Sequence, residues 1–131
     1  MNHVTTKLLR PTDAELEILT ILWSRGASTV REVHEAIVER KPTQYTTVLK
    51  MLQIMTEKGL VKRDDAERAH RFSASKAAEW TQRQLAGDLL ERAFAGSASS
   101  LLLGALSAKK ASKKELAAMR KMLDELDGGA K

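Results

Sequence analysis

Cysteine is absent from this 131-residue chain, which removes disulfides, thiol nucleophiles, iron–sulfur clusters and thiolate zinc sites together. Nowhere does an apolar stretch reach the roughly 18 residues of a membrane-spanning helix, and the N-terminus lacks the apolar core of a secretory signal. A cytoplasmic protein with no membrane insertion is the expectation. Histidine is scarce, and His3, His34 and His70 lie far apart without metal-ligand spacing. No arrangement of Ser, His and Asp stands out, and no glycine-rich phosphate loop occurs. Glu15 with Glu17, and Asp64 with Asp65, are explained by capping and turn formation. The chain is therefore expected to be no enzyme, with no catalytic residues, no metal and no cofactor. Trp23 and Trp80 lie outside the basic segment described next, which suits core or dimer contacts better than base stacking.

What is present is basic charge in one place. The formal net charge is +5 and 43% of the residues are hydrophobic, so polyanions are favoured partners. From Arg40 to Arg71 there are eight Lys or Arg against four acids, a local excess of +4, whereas residues 1–39 carry four basic and six acidic side chains, hence −2.

That basic segment holds a helix pattern followed by a hairpin pattern. After the Pro42-Thr43 break, Val48, Met51, Leu52 and Met55 fall at i, i+3, i+4 and i+7, predicting a helix over 44–58 with one buried stripe. Its other side carries Gln44, Thr46, Thr47, Lys50 and Gln53, short or flexible donors and acceptors suited to groove edges and phosphates. The alternative for Thr46 and Thr47 is a first-turn role in which their hydroxyls bond nearby backbone. Gly59 then ends the helix. Leu60-Val61-Lys62-Arg63 and Ala69-His70-Arg71-Phe72-Ser73 are short strand candidates around Asp64-Asp65-Ala66-Glu67-Arg68, a turn in which Asp can bond its own backbone. Arg68 and Arg71 would reach a phosphate backbone from this wing, or else balance Asp64, Asp65 and Glu67 as surface pairs.

Two more helices precede this unit. Thr12-Asp13-Ala14-Glu15 and Thr29-Val30-Arg31-Glu32 both have the form of a capping box. The first opens a helix with Leu16, Leu19, Leu22 and Trp23 on one face, widened by Ile18 and Ile21, up to Gly26. The second opens one burying Val33, Ala36 and Ile37, ending near Arg40. Ala27 and Ser28 are candidates for a tiny strand added to the hairpin. The fold class that follows is mainly α with a small β-hairpin, a winged helix-turn-helix over residues 1–74.

Residues 75–131 read as a helical dimerisation domain. Three apolar stripes appear: Leu85, Ala86, Leu89, Leu90, Ala93 and Phe94; Leu101, Leu102, Ala105 and Leu106; then Leu116, Met119, Leu123 and Leu126, after a third capping pattern at Ser112-Lys113-Lys114-Glu115. So few residues bury too little surface alone. Trp80, Leu85, Leu89, Leu101, Leu102, Leu116, Met119 and Leu123 are the expected contacts of a homodimer built about a twofold axis. Folding back onto residues 1–74 as a monomer is the alternative.

These residues resemble the penicillinase-repressor family of BlaI, MecI and CopY type transcriptional regulators, from Pro11 to about Leu126. The resemblance is carried by Thr12-Asp13-Ala14-Glu15-Leu16-Glu17-Ile18-Leu19 with Leu22-Trp23, by Thr29-Val30-Arg31-Glu32-Val33, by Tyr45-Thr46-Thr47-Val48-Leu49 with Met51-Leu52, by Glu57-Lys58-Gly59-Leu60-Val61, by Arg68-Ala69-His70 and by Phe94-Ala95-Gly96-Ser97. It implies a homodimeric repressor on a palindromic double-stranded DNA operator. It places Thr46, Thr47 and Lys50 among the recognition-helix contacts and Arg68 in the wing. Leu49 stands where some members carry Arg, which implies one phosphate contact fewer. The family also implies a membrane sensor-protease, encoded nearby, that triggers cleavage in the short C-terminal helix. The matching bond here is Gly104-Ala105 rather than the Asn-Phe of the staphylococcal members. Copper-responsive members end in a cysteine-rich motif that this chain lacks. The competing functional class is a winged-helix protein-interaction adaptor without sequence-specific DNA binding, since an excess of +4 is modest for a DNA reader.

Overall fold

The computed structural model describes residues 10–129, so His3 lies outside the described residues. The elements are α1 (Asp13–Arg25), β1 (Ser28–Thr29), α2 (Val30–Val38), α3 (Tyr45–Lys58), β2 (Val61–Asp64), β3 (Arg71–Ala74), α4 (Ala78–Ala93), α5 (Ala98–Ala108) and α6 (Lys113–Gly129). Both N-terminal capping boxes form in full. The Thr12 hydroxyl accepts from the Glu15 N–H at 3.2 Å while Glu15 Oε1 accepts from the Thr12 N–H at 2.9 Å. Thr29 and Glu32 repeat this at 3.2 and 2.9 Å. Each box satisfies two N–H groups that a helix start leaves without partners. Gly59 takes the left-handed conformation at φ 82°. It lets the Leu60 N–H return to the Met55 carbonyl at 2.9 Å, the six-residue closure of a Schellman motif.

Strand order is β1-β3-β2, antiparallel throughout. The expected first hairpin strand began at Leu60, but that residue's N–H belongs to the helix closure and its carbonyl accepts from the Ser75 N–H at 2.9 Å, so the ladder starts at Val61. Ser28 rather than Ala27 opens the small third strand, opposite Phe72. Residues opposite one another share a face. Val61 faces Ala74 and Arg63 faces Phe72 on the side that includes buried Ser28, leaving Lys62 with Ser73 and Asp64 with Arg71 on the other side. Between the strands Asp64 Oδ1 accepts from the Ala66 N–H at 2.9 Å, which is the Asx turn anticipated without glycine.

The core joins Ile18, Leu19, Ile21 and Leu22 of α1 to Val30, Val33 and Ile37 of α2, Val48, Leu52 and Met55 of α3, and Leu60, Val61 and Phe72. Ile18 and Ile21 are buried, whereas Leu16 and Trp23, expected on the same inner face, are only half-buried. Trp23 has to keep its polar edge near the surface, because Nε1 donates to the Lys76 carbonyl at 2.9 Å. Glu15 is buried, and Lys58 Nζ lies 2.8 Å from its Oε2. This pair ties the start of α1 to the end of α3.

By compactness the chain divides after Ala86, within α4. The first turns of α4 belong with the winged helix through the buried Thr81, and the Trp23 bond holds Lys76 just ahead of them. In the second unit α5 starts on Ser97, whose hydroxyl accepts from the Ser100 N–H at 3.1 Å. The link before it passes through positive φ at Ala95 (49°) and Gly96 (79°). Ser112 opens α6, accepting from the Glu115 N–H at 3.0 Å. No described residue of this unit is buried.

Candidate nucleic-acid interface

α3 has two contrasting sides. Val48, Leu52 and Met55 are each 0% exposed, while Gln44, Thr46, Thr47, Lys50 and Gln53 are all exposed. The hydroxyls of Thr20 and Thr56 donate to backbone carbonyls at 2.7 Å. Those of Thr46 and Thr47 have no such partner among the described residues, so a backbone-bonding role does not occupy them. Tyr45 and Ile54 are also exposed on α3. Neither stood in the predicted stripe or among the predicted contact residues.

Charge on this surface is divided by pairing. Of the eight basic residues between Arg40 and Arg71, five are held by carboxylates. Arg40 and Lys41 lie 3.7 and 3.2 Å from Glu17, Lys58 is on Glu15, and Arg63 is 2.8 Å from Asp65. Arg71 is 3.3 Å from Glu32 and 3.6 Å from Glu67. Lys50, Lys62 and Arg68 have no carboxylate partner among the described residues. Three of the neutralising acids, Glu15, Glu17 and Glu32, come from α1 and α2, outside the basic segment, so the sequence count overstates the free charge. Lys62 was counted in that excess but not singled out; its alternation with buried Val61 on a short strand was the available signal.

Glu32 is the hinge of the wing's electrostatics. The Thr29 N–H lowers its carboxyl below the ordinary value, partial burial opposes this, and the Arg71 and Arg25 charges lower it further. One carboxylate thereby caps α2 and holds β3. In Glu15 burial pushes the carboxyl up, but the Lys58 hydrogen bond and charge and the Thr12 bonds together outweigh it and leave it lowered.

The residues expected at a dimer contact fall into two groups. Trp80 is half-buried in the winged unit, where it lines a small pocket with Leu19, Gly59, Leu60, Lys76 and Thr81 and lies 5.1 Å below the Lys76 ammonium. Leu85, Leu101, Leu116 and Met119 are half-buried, while Leu89, Leu102 and Leu123 are exposed. Leu103 and Leu126 are 68% and 74% exposed, a large apolar area for a surface facing only water. Gly104 lies inside α5, and a Cβ there would come within 3.4 Å of the Phe94 ring. Among the described residues no three His, Cys, Asp or Glu side chains are grouped to hold a metal, and no single helix is long and apolar enough to cross a membrane.

The sequence model of the family described as Penicillinase repressor matches residues 11–125. Two curated proteins, each called Transcriptional regulator BlaI, from Mycobacterium tuberculosis strains CDC 1551 / Oshkosh and ATCC 25618 / H37Rv, are 35% identical over 125 residues. In each case the alignment covers 94% of this chain and 89% of the relative.

Proposed function

Since the chain belongs to the penicillinase repressor family, we propose that it represses transcription as a homodimer on a palindromic operator, each copy laying α3 into a major groove and its wing along the flanking phosphates. Gln44, Thr46, Thr47, Lys50, Gln53 and Arg68 are the contact residues, with Lys62 added to them. The observation that carries this is the outer side of α3, where neighbouring threonine hydroxyls and an uncompensated lysine stand free on a helix whose inner side is fully buried. Two such helices on a twofold axis reach successive major grooves roughly 34 to 36 Å apart. The unburied leucines of α5 and α6, with Met119, Leu85 and Leu89, supply the contact between copies. As functional modules we propose residues 1–74 for DNA and 75–131 for pairing, although the compact winged unit continues through Ala86 into α4.

Gel shift on the promoter of the chain's own gene, with a footprint, tests the proposal. Symmetric protection that weakens on Lys50→Ala is expected; no protection, together with a stable protein partner in pull-down, would replace it with the adaptor. The adaptor draws on one observation, that Arg63 and Arg71 are neutralised in a wing also carrying Asp64 and Glu67. Release by a membrane sensor-protease encoded nearby would act at Gly104-Ala105. Since that bond is helical and Gly104 lies beside Phe94, cleavage requires α5 to unwind first.

A further inference from the structure

The backbone of the turn before α3 makes few hydrogen bonds of its own. The Arg40 and Lys41 N–H groups both return to the Ile37 carbonyl, at 2.9 and 3.0 Å. Pro42 then has no N–H to give, and Gln44 at the helix start makes no side-chain capping bond. The Thr43 hydroxyl donates to the Lys41 carbonyl at 3.2 Å and Glu17 of α1 pairs with Arg40 and Lys41, but among the described residues only His34 reaches from α2 to the residues just before α3. His34 of α2 has Nε2 2.7 Å from the Thr43 carbonyl, so that nitrogen carries the proton and donates. Its ring also meets the Tyr45 ring edge-on, centroids 5.8 Å apart at 83°, a favourable aromatic geometry. Tyr45 is the first residue of α3 and 46% exposed, and its hydroxyl has no partner among the described residues. It precedes Thr46 and Thr47 directly.

We propose that His34 is a positioning residue for duplex recognition, fixing the Thr43 carbonyl and the Tyr45 ring so that the Tyr45 hydroxyl is presented as a neutral donor to a backbone phosphate beside α3. This rests on the operator-binding proposal above. Glutamine can place an N–H where His Nε2 lies, asparagine is too short, and leucine has no donor. Replacing His34 with leucine or asparagine should therefore weaken operator binding about fivefold per half-site, the ratio that one lost hydrogen bond gives, and His34→Gln should restore most of it. Tyr45→Phe should weaken binding by a similar factor while leaving the slope of log affinity against log salt unchanged, because a neutral donor displaces no counterion.

Two controls separate the outcomes. Amide exchange at Thr47 and Val48 of the free protein, whose N–H groups bond to the Gln44 carbonyl, should quicken in His34→Leu and His34→Asn but not in His34→Gln, a readout that needs no DNA. Lys50→Ala tests the operator proposal by itself. If Lys50→Ala weakens binding and the His34 variants bind like wild type, or if glutamine fails to rescue a variant that still melts normally, the positioning role is overturned. Wild-type affinity in Tyr45→Phe overturns the phosphate contact. If Lys50→Ala also changes nothing, the operator proposal itself has failed.

Discussion

Replacing Arg68 with alanine should flatten the salt dependence of operator binding, and the size of the change follows from which cations are already engaged. Each neutralised phosphate contributes about −0.9 to the slope of log affinity against log salt. If only Lys50, Lys62 and Arg68 of each copy reach phosphates, a dimer neutralises about six, and the wild-type slope is about −5.4. Removing Arg68 takes away two contacts, so the slope should move to about −3.6. Arg71 should behave differently, because Glu32 and Glu67 already flank it. The double variant Arg71→Gln, Glu67→Gln removes one charge of each sign and should keep the wild-type slope within about half a unit, well inside the change of about 1.8 that two lost phosphate contacts would cause. Fluorescence anisotropy with a labelled operator duplex, from about 50 to about 200 mM salt, covers the range over which six contacts cost about a thousandfold in affinity. An unchanged slope in Arg68→Ala, or an equal flattening in the Arg71 and Glu67 double variant, would show that ion pairing in the free protein does not decide which cations meet DNA.

Three further outcomes are expected. Lys58→Met leaves Glu15 buried without its partner and should cost about 1–3 kcal/mol near neutral pH, less than a fully buried pair because Lys58 is partly exposed. As Glu15 is lowered in the folded state, the stability it contributes is complete above its ordinary value of 4.5 and is lost as pH falls through the lowered one. Urea titrations should therefore show the gap between Lys58→Met and wild type closing on acidification; a constant gap would assign the loss to packing. Leu52→Ala, at a fully buried position of α3, should cost about 2–5 kcal/mol, seen as a lower urea midpoint with the same slope. Leu102→Glu with Leu123→Glu should give monomers in sedimentation and abolish symmetric footprints while leaving the circular dichroism helical; an intact dimer would move the contact to another surface.

The local elements were legible because each is written in short-range chemistry. Thr12 with Glu15 and Thr29 with Glu32 satisfy helix-start N–H groups within four residues, and Gly59 needs only its own backbone freedom to stop α3. Of the predicted stripe Val48, Met51, Leu52 and Met55, helical period alone gave three fully buried residues and left Met51 half-buried at its margin, and the outward side that carries Thr46, Thr47 and Lys50 follows from the same period. Strand limits were less legible, since Leu60 could serve the helix closure or the ladder and only the fold chose between them. Electrostatics went furthest astray from a linear count. The excess of +4 between Arg40 and Arg71 is read along the chain, but Coulomb interactions act through space, and packing α1 and α2 against α3 and the sheet sets Glu15, Glu17 and Glu32 beside Lys58, Lys41 and Arg71. The bridge from His34 to Thr43 and Tyr45 had no sequence signature either, because a lone histidine reveals its acceptor only when the turn is built. Composition and period thus determined the helices and the outward residues of α3, and particular motifs carried the resemblance to the family; tertiary contact alone decided which charges are free and which acceptor His34 finds before α3, because both depend on groups distant in sequence coming within a few ångströms.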